Sequence, residues 1–485
     1  MKEQVEISDL LTRADLFRQE IGETVHDQIT ASTYAEAERV TSRAVVCEER
    51  HGVEWEEILD RLITSRATGI PFMILLLAGV FWITIQGANV PSEILAGLLM
   101  TQGGLTEFAR EHFGAGHVPW FLGVSLYELL SGFMAGIHAP SWLTGFLVDG
   151  VYLALAWVVS VMLPPMAIFF PLFTILEDLG LLPRIAFNMD RFFRAVGAHG
   201  KQALTMAMGF GCNAAGVVAC RIIDSPRERL IAILTNNFVP CNGRWPMLIM
   251  VSSLFVAAAF PPSLASLVSV GAVTAVTLIG VAATLGVSFL LSRTLLKGVA
   301  SSFTLEMPPY RKPNFGRVIY TSIIDRTLFV LWRAAICSAP AGGLIWLLGA
   351  IHVGDVSAFS WLRGWLDPFG HAIGLDGVIL IAFLFAIPAN EIVVPTIIMG
   401  YMNGHKMMEL SDPSALFAAN GWTLLTAICL LLFSLLHYPC TTTTLTIWRE
   451  TRSLKWTILS NLIPLTIAIL TCGAIAQTAR FMGWA

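Results

Sequence analysis

Between Leu230 and Ser292 the chain carries a single charged side chain, Arg244. About 20 apolar residues suffice to cross the hydrocarbon core of a bilayer. At that depth every backbone N–H and C=O must be bonded within the protein, which favours helices. Further uncharged runs occupy 69–92, 150–176, 202–220, 334–354, 377–390, 414–448 and 456–479. The 245–292 stretch is too long for one helix, and Pro261-Pro262 divides it. Charged residues make up only 13 % of the chain, about half of what a soluble domain carries. The fold class expected is therefore an all-α polytopic membrane protein, solvated mainly by lipid. A net charge of −4 gives no reason to expect a nucleic-acid partner.

Residues 1–68 differ from the rest. They hold 8 Lys+Arg and 15 Asp+Glu, a net −7, and read as a small helical region outside the membrane. Their acidic, polar start is not a cleavable signal peptide. Basic residues cluster in four later segments: 184–201, 221–229, 293–326 and 449–455. By the positive-inside rule these face the cytoplasm, while 93–117 and 351–376 face outward.

That orientation sets a parity problem. The segments on both sides of 202–220 are basic, so 202–220 is expected to enter and return. The segment 377–402 raises the same difficulty from outside. Their middles read Gly-Phe-Gly-Cys-Asn (209–213) and Ile-Pro-Ala-Asn-Glu (387–391), poor helix interiors both. About seven full spans and two re-entrant or broken segments result. The broken regions can be overlaid, 212–219 on 388–395, and Val-Pro-Cys (239–241) on Tyr-Pro-Cys (438–440). Paired breaks in corresponding halves point to a transporter's binding site.

Three of the eight cysteines sit at such breaks: Cys212, Cys241 and Cys440. Cys220, Cys337, Cys429 and Cys472 read instead as small buried hydrophobes. Sulfur combined with amide or carboxylate oxygen suits a borderline divalent transition metal. Asn213 and Glu391 are the oxygen candidates, Glu391 because an ionisable group inside an apolar segment is costly and functional by default. Arg244 needs an acidic partner, with Glu391 as the candidate, unless it snorkels to the interface. His437 precedes Tyr-Pro-Cys, and both it and Arg244 are candidate supports behind the ligands. No CxxC, HExxH, GxSxG or GxxxxGK[ST] pattern occurs, so an enzyme, a closed zinc site and a P-loop are not expected.

Several motifs occur in order. They are Asp-Arg-Leu-Ile-Thr-Ser-Arg (60–66), Leu-Glu-Asp-Leu-Gly-Leu-Leu-Pro-Arg-Ile-Ala-Phe-Asn-Met-Asp-Arg (176–191), Gly-Phe-Gly-Cys-Asn (209–213) and Arg-Glu-Arg-Leu (227–230). Glu-Met-Pro-Pro-Tyr-Arg (306–311), Asn-Glu-Ile-Val-Val (390–394), Pro-Cys (439–440) and Trp-Arg-Glu-Thr (448–451) follow. Together they resemble the membrane region of the ferrous iron transport protein B (FeoB) family over roughly residues 30–480.

The resemblance implies two gate repeats, read as inverted, and Fe²⁺ uptake across the bacterial inner membrane with the N-terminus cytoplasmic. Fe²⁺ is then substrate, with no permanent cofactor. The family's pathway cysteines fall on Cys212, Cys241 and Cys440, and its gate-repeat acid on Glu391. The expected organisation is 1–68 cytoplasmic helical region, 69–292 first membrane half, 293–327 connector and 328–485 second half. The family's GTP-binding domain is not expected within these residues. A separate GTP-binding protein docking on 1–68, a small cytoplasmic accessory protein and a homo-oligomer are the partners implied. Asn-Gly (242–243) replaces the family's Ser-Ala after the cysteine, Asn390 its lysine, and Pro240 its first serine. Another divalent metal, a small polar solute, or a non-transporting component that recruits a GTP-binding protein stay open as alternatives.

Overall fold

The computed structural model describes residues 25–44, 55–65, 67–101, 103–113, 119, 122–298, 310–311, 313–354, 356–402 and 414–483. Much of the 1–68 region, Cys47 and the Glu306–Pro309 part of one motif lie outside the described residues. What is described is almost wholly helical, with one two-stranded ribbon pairing His352–Val353 and Val356–Ser357.

Among the described residues five helical stretches are long and apolar enough to cross a membrane: Gly69–Leu99, Ser141–Asp178, Leu267–Arg293, Leu424–Thr451 and Leu454–Phe481. A pair bent by 106°, Ala358–Ala372 with Gly377–Phe385, makes a sixth if counted as one span. About seven spans are expected; among the described residues prolines and glycines cut further apolar sequence into shorter pieces. Trp245–Val256 is an example.

From residue 153 one order of elements occurs twice. The first series is Leu153–Asp178, Leu181–Ala195, the broken pair Gln202–Gly211 and Asn213–Ala219, Pro226–Thr235, Trp245–Val251 and Pro262–Arg293. The second is Phe329–Ala350, Ala358–Ala372, the broken pair Gly377–Phe385 and Val393–Tyr401, Leu424–Leu436, Thr441–Thr451 and Leu454–Phe481. The boundaries follow local chemistry. Ser225 accepts from Glu228 N ahead of Pro226, Asp376 accepts from Ile379 N, and Thr423 accepts from Thr426 N. Each side-chain oxygen satisfies a donor that the first helical turn leaves unpaired. Pro261 opens the helix Pro262–Arg293, so the expected division of 245–292 falls where the prolines place it.

The halves interlock at the breaks. Asn213–Ala219 packs on Thr441–Thr451, and Leu153–Asp178 packs on the turn Asn390–Ile392. Trp157 Nε1 donates to the Glu391 carbonyl at 3.0 Å, joining the halves directly.

The helix Trp55–Thr64 is fastened to Leu181–Ala195 by a polar latch. Arg184 is 2 % exposed; its Nε reaches Asp60 Oδ1 at 2.5 Å and its Nη1 donates to the Gly180 carbonyl at 2.6 Å. Tyr310 donates to Asp60 Oδ1 at 2.7 Å and lays its ring 3.8 Å from the guanidinium. Asn188 Nδ2 donates to the Ile63 carbonyl. The Arg184 hydrogen bond holds the Asp60 carboxyl below its ordinary value of 3.8 against the opposing effect of burial. A lowered carboxyl pKa stabilises the docked helix above its free value and loses that contribution as pH falls through the lowered one. Asp60 is over a third exposed, so the pair contributes about 1 kcal/mol or less. Asp60→Asn is therefore expected to quicken amide exchange in 55–64 at neutral pH and to remove its acid dependence. Unchanged exchange in the variant would show that packing alone holds this helix.

Candidate functional site

One cavity is lined by the breaks of both halves. Cys212 and Asn213 come from the first, Cys241 from the turn after Pro240, Glu391 from the second, and Cys440 from the Pro-Cys turn. All five residues proposed from sequence as metal ligands thus share one space.

The breaks have matching backbone. Cys212 has φ −154°, ψ 124°, and Ala389 has φ −152°, ψ 119°. Each is followed by a helical turn opening on an asparagine, Asn213 or Asn390. Asn390 rather than Ala389 is therefore the counterpart of Asn213, one residue on from the sequence overlay. The carbonyls released at the breaks are taken up locally. Asn242 N donates to Gly211 O at 3.2 Å, and Thr441 N donates to Ile387 O at 2.8 Å. Tyr438 donates its hydroxyl to Phe383 O at 2.8 Å. Non-helical backbone is tolerated at membrane depth where protein satisfies it in this way.

Arg244 is where the structure departs furthest from expectation. Neither the ion pair with Glu391 nor snorkelling occurs: the side chain is 1 % exposed and faces carbonyls. Its Nη1 donates to Asn237 O and Leu435 O, both at 2.9 Å. Its Nη2 reaches Asn237 Oδ1 at 3.1 Å, Tyr438 O at 3.3 Å and His437 O at 3.4 Å. Leu435, His437 and Tyr438 lie at the end of the helix Leu424–Leu436. A helix C-terminus carries partial negative charge and unpaired carbonyls. The cation's partner is thus a helix end in the other half, reached with no carboxylate. Asn237 Nδ2 donates to His437 O at 2.6 Å and closes the network.

Glu391 stands alone by contrast. Among the described residues it makes no ion pair. Its carboxylate lies so close to Gly243 that a Cβ there would clash with it. The Asn213 amide is used within the break: it reaches Asn237 Oδ1 at 3.3 Å, or, turned over, donates to Gly209 O and Val239 O at 3.2 Å. The ring of His437 is not in the cavity. It packs among Phe383, Phe433 and Tyr438, and its Nδ1 lies 2.8 Å from Ser434 O. Cys440 Sγ is 3.3 Å from Thr443 Oγ1. Away from the cavity, Cys220 donates to Gly216 O, and Cys472 donates to Cys429 O at 3.3 Å.

Sequence reasoning missed Asn237 and Trp157, which brace the breaks, and Met162 and Met166, which line the cavity. The pair Asn236-Asn237 inside an apolar run was the available signal for the first. Among the described residues no three His, Cys, Asp or Glu side chains stand close enough to hold one metal ion together. The cavity offers donors spread along its wall and not a closed cage.

Residues 159–255 and 331–454 match the Gate family, described as nucleoside recognition. Residues 273–325 match the family described as ferrous iron transport protein B C terminus. The Fe(2+) transporter FeoB of Synechocystis sp. is 27 % identical over 442 residues, 88 % of this chain and 69 % of that protein. Its namesake in Staphylococcus aureus is 27 % identical over 421 residues, 84 % of this chain and 57 % of that protein. This chain is a FeoB-family membrane protein. It spans 69 % and 57 % of the length of those two relatives. The Fe(2+) transporter FeoB of Campylobacter jejuni is 23 % identical over 441 residues, 88 % of this chain and 66 % of that protein. No solved structure matches the chain. In this FeoB-family chain the two parts of the Gate match fall on the two series of elements that carry the breaks.

Proposed function

We propose that the protein carries Fe²⁺ across the bacterial inner membrane through the cavity between its two broken segments. The observation that supports this most is the meeting of Cys212, Cys241, Cys440 and Glu391, drawn from both halves, at one cavity. Thiol and carboxylate donors suit a borderline divalent ion. Donors that are spread out bind weakly, and a transported ion must leave as readily as it arrives. The N-terminus is cytoplasmic in this reading. A GTP-binding protein docking on 1–68 would act on the first half through the Asp60–Arg184 latch.

Proteoliposomes holding the purified chain test the proposal. Fe²⁺ uptake is expected in wild type. It should fall at least about tenfold in Cys212→Ser with Cys241→Ser, since even residues behind the ligands are worth that much in metal sites. Uptake indifferent to both serines would remove the thiols from the pathway. A small polar solute is the second reading, favoured by the description of the Gate family as nucleoside recognition. Saturable nucleoside uptake without Fe²⁺ uptake would decide for it.

A further inference from the structure

The helix Leu153–Asp178 presents two side chains to the cavity, Met162 and Met166. Their four-residue spacing puts both on one helix face, and they are 6 % and 1 % exposed. Pro164 and Pro165 lie between them. Neither has an N–H, so the carbonyls of Ser160 and Val161 lose their i+4 intrahelical donors. The cysteines enter this space from the breaks, and glycine and alanine at Gly211, Gly243, Ala334 and Ala389 keep its lining small. Leucine would fill the same volume. A thioether also offers a polarizable lone pair where the remaining donors are thiols, an acid and amides.

We propose that Met162 and Met166 form a thioether wall of the cavity that sets its preference for soft and borderline divalent cations over hard ones. The inference rests on the transport reading and deepens it. Thioether sulfur is a weak neutral ligand: it adds affinity for Cd²⁺ or Fe²⁺ and little for Mn²⁺ or Mg²⁺. Because it carries no charge and needs no deprotonation, it aids passage without creating a trap.

The test compares wild type with Met162→Leu/Met166→Leu, a swap that keeps volume and costs under about 1.5 kcal/mol per site. Inhibition of Fe²⁺ uptake by Cd²⁺ and by Mn²⁺ is measured in proteoliposomes. Cd²⁺ binding to the detergent-solubilised full chain is measured in parallel. The ratio of Cd²⁺ to Mn²⁺ inhibition is expected to shrink roughly tenfold in the leucine variant, with Cd²⁺ binding weakened to match. Unchanged selectivity and unchanged Cd²⁺ binding would overturn the proposal and make the methionines packing residues. Should wild type take up no Fe²⁺, the transport reading fails and the Cd²⁺ arm alone decides on the thioethers. If the double variant does not fold, Met162→Leu, at the less buried position, carries the same two measurements.

Discussion

Arg244→Ala is expected to loosen the contact between the two halves and to destabilise the membrane region by several kcal/mol, at about 1–3 kcal/mol for each buried acceptor left unmet. The guanidinium binds carbonyls of Asn237, Leu435, His437 and Tyr438 as well as the Asn237 side chain. Alanine takes this donor from the Asn237, Leu435 and Tyr438 carbonyls, while His437 O keeps its bond from Asn237 Nδ2. Arg244→Met should be almost as harmful, since it restores volume and no donor. Arg244→Lys keeps the charge but replaces a planar fork of five N–H donors with a point ammonium, so an intermediate loss is expected. Thermal unfolding in detergent, followed by tryptophan fluorescence, gives the order wild type, lysine, then methionine and alanine together. An alanine variant as stable as wild type would mean that packing holds the halves together without this tie.

Gly243→Ala is expected to reduce Fe²⁺ uptake at least tenfold while the chain stays folded, with a stability loss of about 1–3 kcal/mol from overpacking. The added methyl group would occupy space now filled by the Glu391 carboxylate. Gly243 lies in the turn after Cys241 and Glu391 in the opposite half, so displacing the acid changes the cavity where the halves face each other. Glu391→Ala combined with Gly243→Ala separates shape from chemistry. Contacting residues couple by about 0.5–3 kcal/mol, so the double variant should regain the stability lost by Gly243→Ala alone. Uptake should stay low in it, because the carboxylate is gone. Strictly additive stability losses would show that the two residues do not meet.

Gly243 also illustrates the limit of what the chain's order of residues can say. As sequence, Asn-Gly after Pro-Cys is a helix break. Its contact with an acid in the other half is not a local property. Met162 and Met166 are similar. Beside Pro164-Pro165 in an apolar run they look like ordinary filling, and only the packing of the first half shows that their side of the helix borders the cavity.

Arg244 shows why reasoning from residue types alone went astray. A cation in a run free of other charge points to Glu391, the acid inside an apolar segment, or to snorkelling, because a side-chain inventory contains only side chains. All but one of its acceptors are main-chain carbonyls, such as that of Leu435, 191 residues away. Every residue has such a carbonyl, so composition cannot single out the ones a helix end leaves free.

Helices and their interruptions could be read from the sequence because both depend on local chemistry: uncharged length for the spans, and proline without N–H or glycine without Cβ for the breaks. The placement of cysteines at breaks was legible for the same reason. Which breaks meet, the one-residue shift that pairs Asn213 with Asn390, the carbonyl cradle of Arg244 and the sulfur of the opposite helix were decided by tertiary structure. Those features arise from packing between segments far apart in the chain, where shape and register choose among partners that residue identity leaves equivalent.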